Sequence, residues 1–277
     1  MSSAIEAIDV WFSYVKGDYV LRGANLRANY GEIVVLLGPT GSGKTTLLLV
    51  MSGLLKSQKG KVLLDGRNLS DQLPQARRRI GIVFQNPDDQ LFNPTVYDEI
   101  AYSLRTLGLA EERVRERVEQ VAARLGIEHL LERQPYRLSM GQKRLVALAS
   151  VLVYEPQIIM LDEPTTFLDD ECTRRVICTL LTLRNSGRAI ILATHNVELA
   201  LWLADRVCML ERGKTSCYNA LEAAEKQIIE QASVQKHPTL KLMLKLVGGW
   251  ERLTELLKNK RDTIWELLGC DSFLKLY

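Results

Sequence analysis

The sequence lacks the features that mark membrane-spanning and secreted proteins. No apolar run approaches the roughly 20 residues that a helix needs to cross a bilayer. The N-terminal residues also lack a basic region followed by an apolar secretory stretch. We therefore expect a cytoplasmic protein, and we expect any role at a membrane to come through partners.

The sequence also lacks closely spaced cysteine pairs and a large net charge. The five cysteines form no C-x-x-C pair and lie in or near apolar runs, which predicts reduced core thiols rather than a disulfide or zinc framework. The formal net charge of +3 is small and dispersed, so no nucleic acid is expected among the partners. With 277 residues, 47% of them hydrophobic, the chain can bury a substantial core.

Apolar runs with the composition of β-strands alternate with helical patterns, which predicts an α/β fold. These runs cover residues 20–26, 33–37, 61–64, 80–84, 158–161, 189–193 and 206–210. Between them, helical patterns at 96–107, 110–125 and 142–152 predict a helical insert at approximately residues 86–155. The pattern after Lys214 is helical to the end, so we predict a main domain at 1–216 and a helical extension at 217–277, which packs against that domain or contacts a partner.

A glycine-rich loop at residues 38–45, here called the phosphate loop, follows the strand pattern at 33–37 and precedes a helical pattern. Glycines let backbone N–H groups approach an anion closely, and the start of the helix points its positive dipole end at the same place. Lys44 supplies a charge for the β- and γ-phosphates, and the Thr45 hydroxyl is a ligand for Mg²⁺. The loop therefore predicts a site for a nucleoside triphosphate.

Two carboxylates end a second strand pattern. Asp162 and Glu163 directly follow the apolar residues 158–161, and ligands of open α/β sheets bind where strands end. We expect Asp162 to hold the Mg²⁺ that Thr45 holds from the other side. Glu163 is then placed to polarise a water molecule for attack on the γ-phosphate.

A third motif lies one helical pattern before these carboxylates. It consists of Leu138, Ser139, Met140, Gly141 and Gln142, and it resembles the signature motif of ATP-binding-cassette (ABC) ATPases. The resemblance covers approximately residues 5 to 215, and further family elements occur at the family's spacing. These are Tyr14, Gln85 after the run at 80–84, Asp169 in the stretch 167–169, and His195 after the run at 189–193.

The resemblance implies a P-loop nucleotide-hydrolase fold and a role for each of these residues. Tyr14 is expected to stack on adenine, Gln85 to complete the shell of Mg²⁺ and water, Glu163 to be the catalytic base, and His195 to contact the γ-phosphate. The residues expected to hold the phosphates are Gly38, Pro39, Thr40, Gly41, Ser42, Gly43, Lys44, Thr45 and Thr46.

Two cassettes of this family close head to tail, so part of the motif is expected to serve another subunit. Residues 139–142 would face the triphosphate bound to that subunit, and Asp169 would line the seam of a homodimer or heterodimer. Two departures from the family pattern are Met140, where glycine is usual, and Phe167, where a small residue is common. Because Gly141 is retained, we expect the phosphate contact to persist.

Residues 85–101 resemble the ATPases of energy-coupling-factor and cobalt or nickel importers. This resemblance implies an ATPase subunit that docks beneath a membrane permease, at the cytoplasmic face, and powers import of a vitamin or a transition-metal ion. Asp88 and Asp89 are candidates to meet basic residues on a permease helix. The alternatives are the ATPase of another ABC importer or exporter, a soluble ABC ATPase of translation or DNA repair, and an inert nucleotide-sensing subunit.

Overall fold

Two β-sheets and the helices around them form the computed structural model, which describes residues 3–225 and residue 270. One sheet has four strands in the order β2-β1-β4-β5, and the other has six in the order β10-β9-β3-β8-β7-β6. The elements along the chain are β1 Ser3–Val15, β2 Asp18–Asn29, β3 Ile33–Leu37, α1 Lys44–Met51, β4 Lys59–Leu64, β5 Arg67–Asn68, α2 Leu69–Gln72, β6 Ile80–Val83, α3 Val96–Thr106, α4 Glu111–Leu125, α5 Met140–Leu152, β7 Ile158–Asp162, α6 Asp170–Asn185, β8 Ala189–Thr194, α7 Val197–Leu203, β9 Arg206–Glu211, β10 Lys214–Asn219 and α8 Ala220–Glu225.

The central strand β3 is buried on both faces, and this explains its unbroken apolar sequence. Its side chains alternate between two hydrophobic clusters because successive residues of a strand point to opposite faces. Ile33 belongs to the cluster that includes the helical insert, and Val34 belongs to the cluster that includes α1 and the smaller sheet. β3 pairs in parallel with β8 and β9, so the carboxyl ends of these strands lie at one edge of the sheet.

Between β6 and β7 the described chain forms only helical elements, as the sequence pattern predicted. Thr95 caps the start of α3 by accepting a 3.0 Å hydrogen bond from the backbone N–H of Asp98. Gly126 ends α4 in the left-handed conformation, with φ of 67°. Buried side chains of α3, α4 and α5 share one cluster with the faces of β3, β7 and β8, so the insert packs on the main sheet.

Three strands were not predicted: β1, β10 and the two-residue β5 at Arg67–Asn68. β1 spans Ser3–Val15 at a position that the sequence pattern left unassigned, and it pairs with both β2 and β4. β10 occupies Lys214–Asn219, so the predicted helical pattern is wrong there, because backbone pairing with β9 outweighs local preference. The predicted boundary at 216/217 falls inside this strand. The rest of the predicted extension, apart from α8 and residue 270, lies outside the described residues.

The prediction of reduced cysteines is wrong for four of the five. Cys208 and Cys217 form a disulfide because the register of β9 and β10 places them directly opposite each other. Cys178 on α6 forms a second disulfide with Cys270, 92 residues later in the chain. Cys172 remains a free thiol. Among the helices of the described residues, none has both the length and the apolar character required to span a bilayer.

Candidate functional site

The phosphate loop connects β3 to the start of α1, at the carboxyl edge of the main sheet. Gly43 precedes α1 with φ of 102°, a left-handed conformation that favours glycine. Gly38 lies so close to β9 that a Cβ atom there would be 2.6 Å from the carbonyl oxygen of Leu210. Glycine is therefore required at these two positions for the loop to turn tightly beside its neighbouring strands.

Lys44 is buried within this loop, with 8% of its surface exposed. Its Nζ donates hydrogen bonds to the carbonyl oxygens of Gly38 (2.9 Å) and Pro39 (3.1 Å). Burial lowers the pKa of Lys44, while the carboxylates of Glu163 and Asp162 raise it. The loop thus holds a partly desolvated ammonium group where the resemblance expects phosphate oxygens.

Thr45 and Asp162 are in direct contact. The Thr45 hydroxyl on α1 donates a hydrogen bond to Oδ2 of Asp162, which ends β7. Burial raises the pKa of Asp162, and the Thr45 hydrogen bond acts in the opposite direction. Hydroxyl and carboxylate oxygens are ligands that suit Mg²⁺, so this pair fits the ion that the fold family implies. Within the described part of the chain no group of three His, Cys, Asp or Glu residues is arranged so that it could hold a metal ion.

Glu163 follows β7 and is held by donors from the end of β8. Its Oε1 accepts from the backbone N–H of His195 (2.9 Å) and lies 2.6 Å from His195 Nδ1. Its Oε2 accepts from the hydroxyl of Thr194 (2.9 Å). The Glu163 backbone has φ of 49°, which is unusual for a residue other than glycine. The structure therefore brings together the predicted base and His195.

Tyr14 and Gln85, which are predicted to contact the nucleotide and its metal shell, are both exposed. Tyr14 has 62% of its surface exposed, and its hydroxyl is 3.2 Å from Oγ1 of Thr46, so its ring stands beside the phosphate loop. This exposure argues against a core role and suits stacking on a base. Gln85 lies two residues beyond β6 with an exposed side chain, and its carbonyl oxygen accepts a hydrogen bond from Arg144.

The signature motif forms the start of α5. The Ser139 hydroxyl accepts from the backbone N–H of Gln142 (3.3 Å), and the Gln142 side chain accepts from the backbone N–H of Ser139 (3.1 Å). This reciprocal capping box fixes the first turn of the helix. Ser139 and Met140 are exposed there, so the start of the helix is open to a group from outside the chain.

The stretch 167–169 lies against this helix start. A Cβ atom on Gly141 would be 2.9 Å from the carbonyl oxygen of Phe167, so a larger residue at 141 would displace one of the two segments. Asp169 caps α6 by accepting a 2.7 Å hydrogen bond from the backbone N–H of Cys172, which lowers the pKa of the Asp169 carboxyl. The structure thus places Gly141 and Asp169 in neighbouring segments.

Comparison with known proteins identifies the family. Residues 21–166, more than half of the chain, match the family described as ABC transporter. The chain belongs to the ABC transporter ATPase family. The matched region contains the phosphate loop, the signature motif and both carboxylates that follow the apolar run of β7.

The relatives of this ABC ATPase include transporter subunits and solved structures. It is 38% identical over 275 residues to the energy-coupling factor transporter ATP-binding protein EcfA of Methanothermobacter thermautotrophicus, covering 97% of this chain and 88% of that protein. CbiO1 from Clostridium perfringens, part of the ABC transporter complex CbiONQ, superimposes with a TM-score of 0.73 at 33% identity, covering 88% of this chain and 99% of that one.

A second solved structure bears on the reaction. The dimeric cassette MJ0796, in a post-hydrolysis state bound to ADP and phosphate, superimposes with a TM-score of 0.73 at 28% identity, covering 78% of this chain and 98% of that one. This ABC ATPase therefore binds and hydrolyses ATP, as the sequence predicted.

Four features of this ABC ATPase were not predicted from its sequence. The Thr194 donor to Glu163 is signalled only by its place immediately before His195. Arg144 is buried beneath the catalytic segments, and the helical pattern of the sequence does not indicate that this arginine is buried. Asp88, predicted to meet a partner, already forms a 2.6 Å salt bridge with Lys143 in the same chain. Asp89 instead accepts from the side chain of Asn86 (3.1 Å).

Proposed function

We propose that this subunit hydrolyses ATP at a composite site shared between two cassettes and so powers import of a vitamin or a transition-metal ion through a separate permease. The observation that carries the proposal is the arrangement of Glu163 and its donors next to the Thr45–Asp162 contact. A base, a metal-side carboxylate and a phosphate loop then stand at the carboxyl edge of one sheet, where this chemistry requires them together.

The chain's own half of the site supplies the attack on the γ-phosphate. The Glu163 carboxylate accepts a proton from the attacking water, and its hydrogen bonds to Thr194 and His195 fix its orientation. The Nδ1 contact with Glu163 leaves Nε2 of the exposed His195 ring available to contact the γ-phosphate. Lys44 exchanges its loop carbonyls for phosphate oxygens and offsets their charge. ATP and water become ADP and inorganic phosphate.

Mg²⁺ held between Thr45 and Asp162 would neutralise charge on the β- and γ-phosphates. Gln85, at the start of the helical insert, is proposed to complete the shell of metal and water. Tyr14 is proposed to stack on the adenine, because its exposed ring stands next to Thr46. These assignments give each segment around the phosphate loop a separate role in binding.

The other half of the composite site is presented to a partner cassette. The Ser139 hydroxyl and the first backbone N–H groups of α5, at Met140 and Gly141, form an anion-binding helix terminus, which Gln142 holds in shape through the capping box. They would grip the γ-phosphate bound to the partner, with Asp169 at the seam. ATP then holds two subunits together, and hydrolysis removes the charge that both grip. The dimeric structure of MJ0796 supports this arrangement.

Import through a permease is supported by the relatives rather than by the site. EcfA is named as a subunit of an energy-coupling factor transporter, and CbiO1 as part of CbiONQ. We infer that this chain likewise docks at the cytoplasmic face of a membrane beneath permease subunits. The class of cargo, a vitamin or a metal ion such as cobalt or nickel, rests on these names and on the resemblance of residues 85–101.

Replacement of the base tests the catalytic assignment. Glu163→Gln keeps the shape of the side chain but removes the proton acceptor, so turnover is expected to fall at least about 100-fold while ATP binding is retained. Size-exclusion chromatography with ATP should then show a trapped dimer. Glu116→Gln, a change of an exposed α4 residue that pairs with Arg113, is the matched control and should leave turnover unchanged. Wild-type turnover in Glu163→Gln would falsify the assignment.

Purification of the native membrane complex tests the transport assignment. An affinity-tagged chain, extracted in mild detergent, is expected to retain permease subunits, and these can be identified by mass spectrometry. Uptake of labelled vitamins and of ⁵⁷Co or ⁶³Ni into vesicles containing the complex then identifies the cargo class. A chain that copurifies only with ribosomal or DNA-repair proteins would contradict the transport proposal.

A further inference from the structure

Arg144 is a buried cation beneath the catalytic segments, with 3% of its surface exposed. It lies on α5, five residues after Ser139. One terminal nitrogen of its guanidinium donates to the carbonyl oxygen of Glu163, and the other donates to the carbonyl oxygen of Gln85 at 2.9 Å. A single side chain therefore joins the signature helix to two segments of the chain's own ATP site.

Stability alone is a poor explanation for this burial. Both hydrogen-bond acceptors are neutral carbonyls, and the buried Nε has no hydrogen-bond partner in the described structure. Burial lowers the pKa of Arg144, opposed by the carboxylates of Glu163 and Asp162. A buried charge that lacks a directly bonded counter-ion usually costs more than an apolar side chain of the same volume. The guanidinium is therefore suited to a role in the site.

The third neighbour of Arg144 belongs to the predicted dimer seam. The ring centroid of Phe167 lies 6.0 Å from the guanidinium carbon, at the outer range of a cation–π contact. Phe167 itself is exposed, with φ of 66°, and its carbonyl abuts Gly141. The aromatic residue that departs from the family pattern thus covers the arginine from the side where a partner cassette would approach.

Arg144 lies on the same helix as the signature motif and is linked rigidly to its start. The capping box at Ser139 makes the first turn rigid, and Arg144 follows about 7.5 Å further along the axis. A displacement of the helix start therefore moves the guanidinium together with it. The Glu163 backbone that it holds is in a left-handed conformation, with φ of 49°, which is unfavourable for a residue other than glycine and persists only where neighbouring contacts maintain it.

We propose that Arg144 is a positioning residue that makes the base at one ATP site depend on engagement of the signature helix at the other. The inference rests on the proposed composite site. The signature helix of a chain grips the triphosphate of its partner, whereas Glu163 and Gln85 act on the chain's own triphosphate. Arg144 connects the two, because it moves with the former and holds the backbone of the latter.

Replacing Arg144 in the full-length chain tests this role. Arg144→Met removes the donors and keeps an unbranched apolar stem, so kcat is expected to fall about 10-fold with KM for ATP within about two-fold of wild type. The Hill coefficient for ATP should fall towards 1. Arg144→Lys, which can still donate to one carbonyl, should recover part of the lost kcat and part of the lost cooperativity. The matched control Arg117→Met removes a half-buried α4 arginine that pairs with Glu155, and it should change neither kcat nor the Hill coefficient.

A double-mutant cycle with Ser139→Ala separates transmission from simple structural damage. If Arg144 carries the signal of the signature helix, the double variant should be little worse than the more impaired single variant, whereas independent effects would multiply to about 100-fold. Multiplied effects, or wild-type kcat and cooperativity in Arg144→Met, would overturn the proposal. If Arg144→Met does not fold, Arg144→Lys decides: lowered kcat and Hill coefficient at an unchanged melting temperature support the role, and wild-type values refute it.

Glu163→Gln distinguishes a failure of the composite site from a failure of the role proposed for Arg144. If Glu163→Gln fails to form an ATP-dependent dimer, the composite site itself is wrong and Arg144 loses its proposed role. If Glu163→Gln dimerises and Arg144→Met remains fully cooperative, only the role of Arg144 is wrong. In the Glu163→Gln background, Arg144→Met should still dimerise with ATP, because it acts on the base rather than on the grip of Ser139. Loss of dimerisation there would contradict the proposal.

Discussion

The two halves of the proposed ATP site differ in how far a single chain completes them. In the half formed by the phosphate loop and the ends of β7 and β8, the polar side chains are already bonded within the chain: Lys44 to its loop carbonyls, Thr45 to Asp162, and Glu163 to Thr194 and His195. Of these residues, Lys44, Asp162, Glu163 and Thr194 are buried. In the half formed by the starts of α5 and α6, Ser139, Met140 and Asp169 are exposed. One half is preorganised by the sheet, and the other is exposed at the surface of the chain.

This difference follows from where each half is attached. Strand ends in a parallel sheet are fixed by hydrogen bonds on both sides, so residues that follow them are held within the core. The starts of α5 and α6 carry their own caps and do not belong to a strand end, and the first N–H groups of a helix have no partner within the helix. In the proposed composite site, the first half would therefore bind nucleotide alone, whereas the second would act only when another subunit supplies a phosphate.

Lys44→Ala should have the largest effect on nucleotide binding, because it removes the buried ammonium group of the preorganised half. We expect affinity for ATP to fall about 100-fold, since a charge-assisted contact to phosphate is lost. Titration with a fluorescent ATP analogue measures this change. Lys56→Ala, an exposed lysine beyond α1, is the matched control and should stay within about two-fold of wild type. Equal effects of the two variants would remove Lys44 from the site.

Ser139 variants should affect the open half without affecting ATP affinity of the single chain. Ser139→Ala is expected to lower turnover about 10-fold, as for the loss of a donor to a reacting phosphate, and to destabilise the chain by about 1 kcal/mol through loss of its cap. Ser139→Asp keeps a capping oxygen but repels the partner's phosphate, so stability should be kept while turnover falls. Turnover and melting temperature measured together distinguish the roles. Wild-type turnover in Ser139→Asp would refute the phosphate contact.

Substitutions at Gly141 and Met140 should have different effects on turnover, although the two residues are adjacent. In Gly141→Ala the new Cβ would lie 2.9 Å from the Phe167 carbonyl, so the start of α5 or the segment at 167–169 must move. Turnover is expected to fall several-fold, with ATP affinity unchanged. Met140→Gly removes an exposed side chain and should stay within about two-fold of wild-type turnover. If Met140→Gly lost more turnover than Gly141→Ala, the methionine that replaces the usual glycine at position 140 would be the residue that controls the site.

Changes to the cysteines should have the smallest effect on turnover. Purified without reductant and then denatured, the chain should show one free thiol, that of Cys172, and five after reduction. Burial raises the pKa of Cys172 to about 11, so in the folded protein at pH 8 its thiol should react slowly with iodoacetamide. Cys172→Ser should abolish the single thiol and leave turnover unchanged. Five thiols before reduction would contradict the disulfides.

Much of the preorganised half could be predicted from the sequence, because its residues sit in short segments with strong local preferences. Glycine at 38 and 43, the apolar run of β7 and the carboxylates after it mark a loop and a strand end without knowledge of the fold. The contacts between segments could not be predicted. The Asp88–Lys143 pair and the place of Arg144 depend on how α5 packs against β6 and β7.

Three structural features were missed for a related reason. β1 and β10 form through pairing with strands that are already in place, and local pattern carries little of that information. The disulfide between Cys178 and Cys270 joins residues 92 positions apart, a distance over which spacing says nothing about contact. The predicted roles of the site residues, the domain division and the extension beyond residue 225 remain predictions.

The sequence by itself determined which chemistry this chain carries, because a phosphate loop, a carboxylate pair and a signature motif each require particular residue types at fixed local spacing. Only the tertiary structure decided how these motifs are connected. Segments that share one edge of a sheet are bonded to one another directly, and the buried Arg144 joins the signature helix to two of them. That connection depends on packing between residues far apart in the chain, which no local pattern encodes.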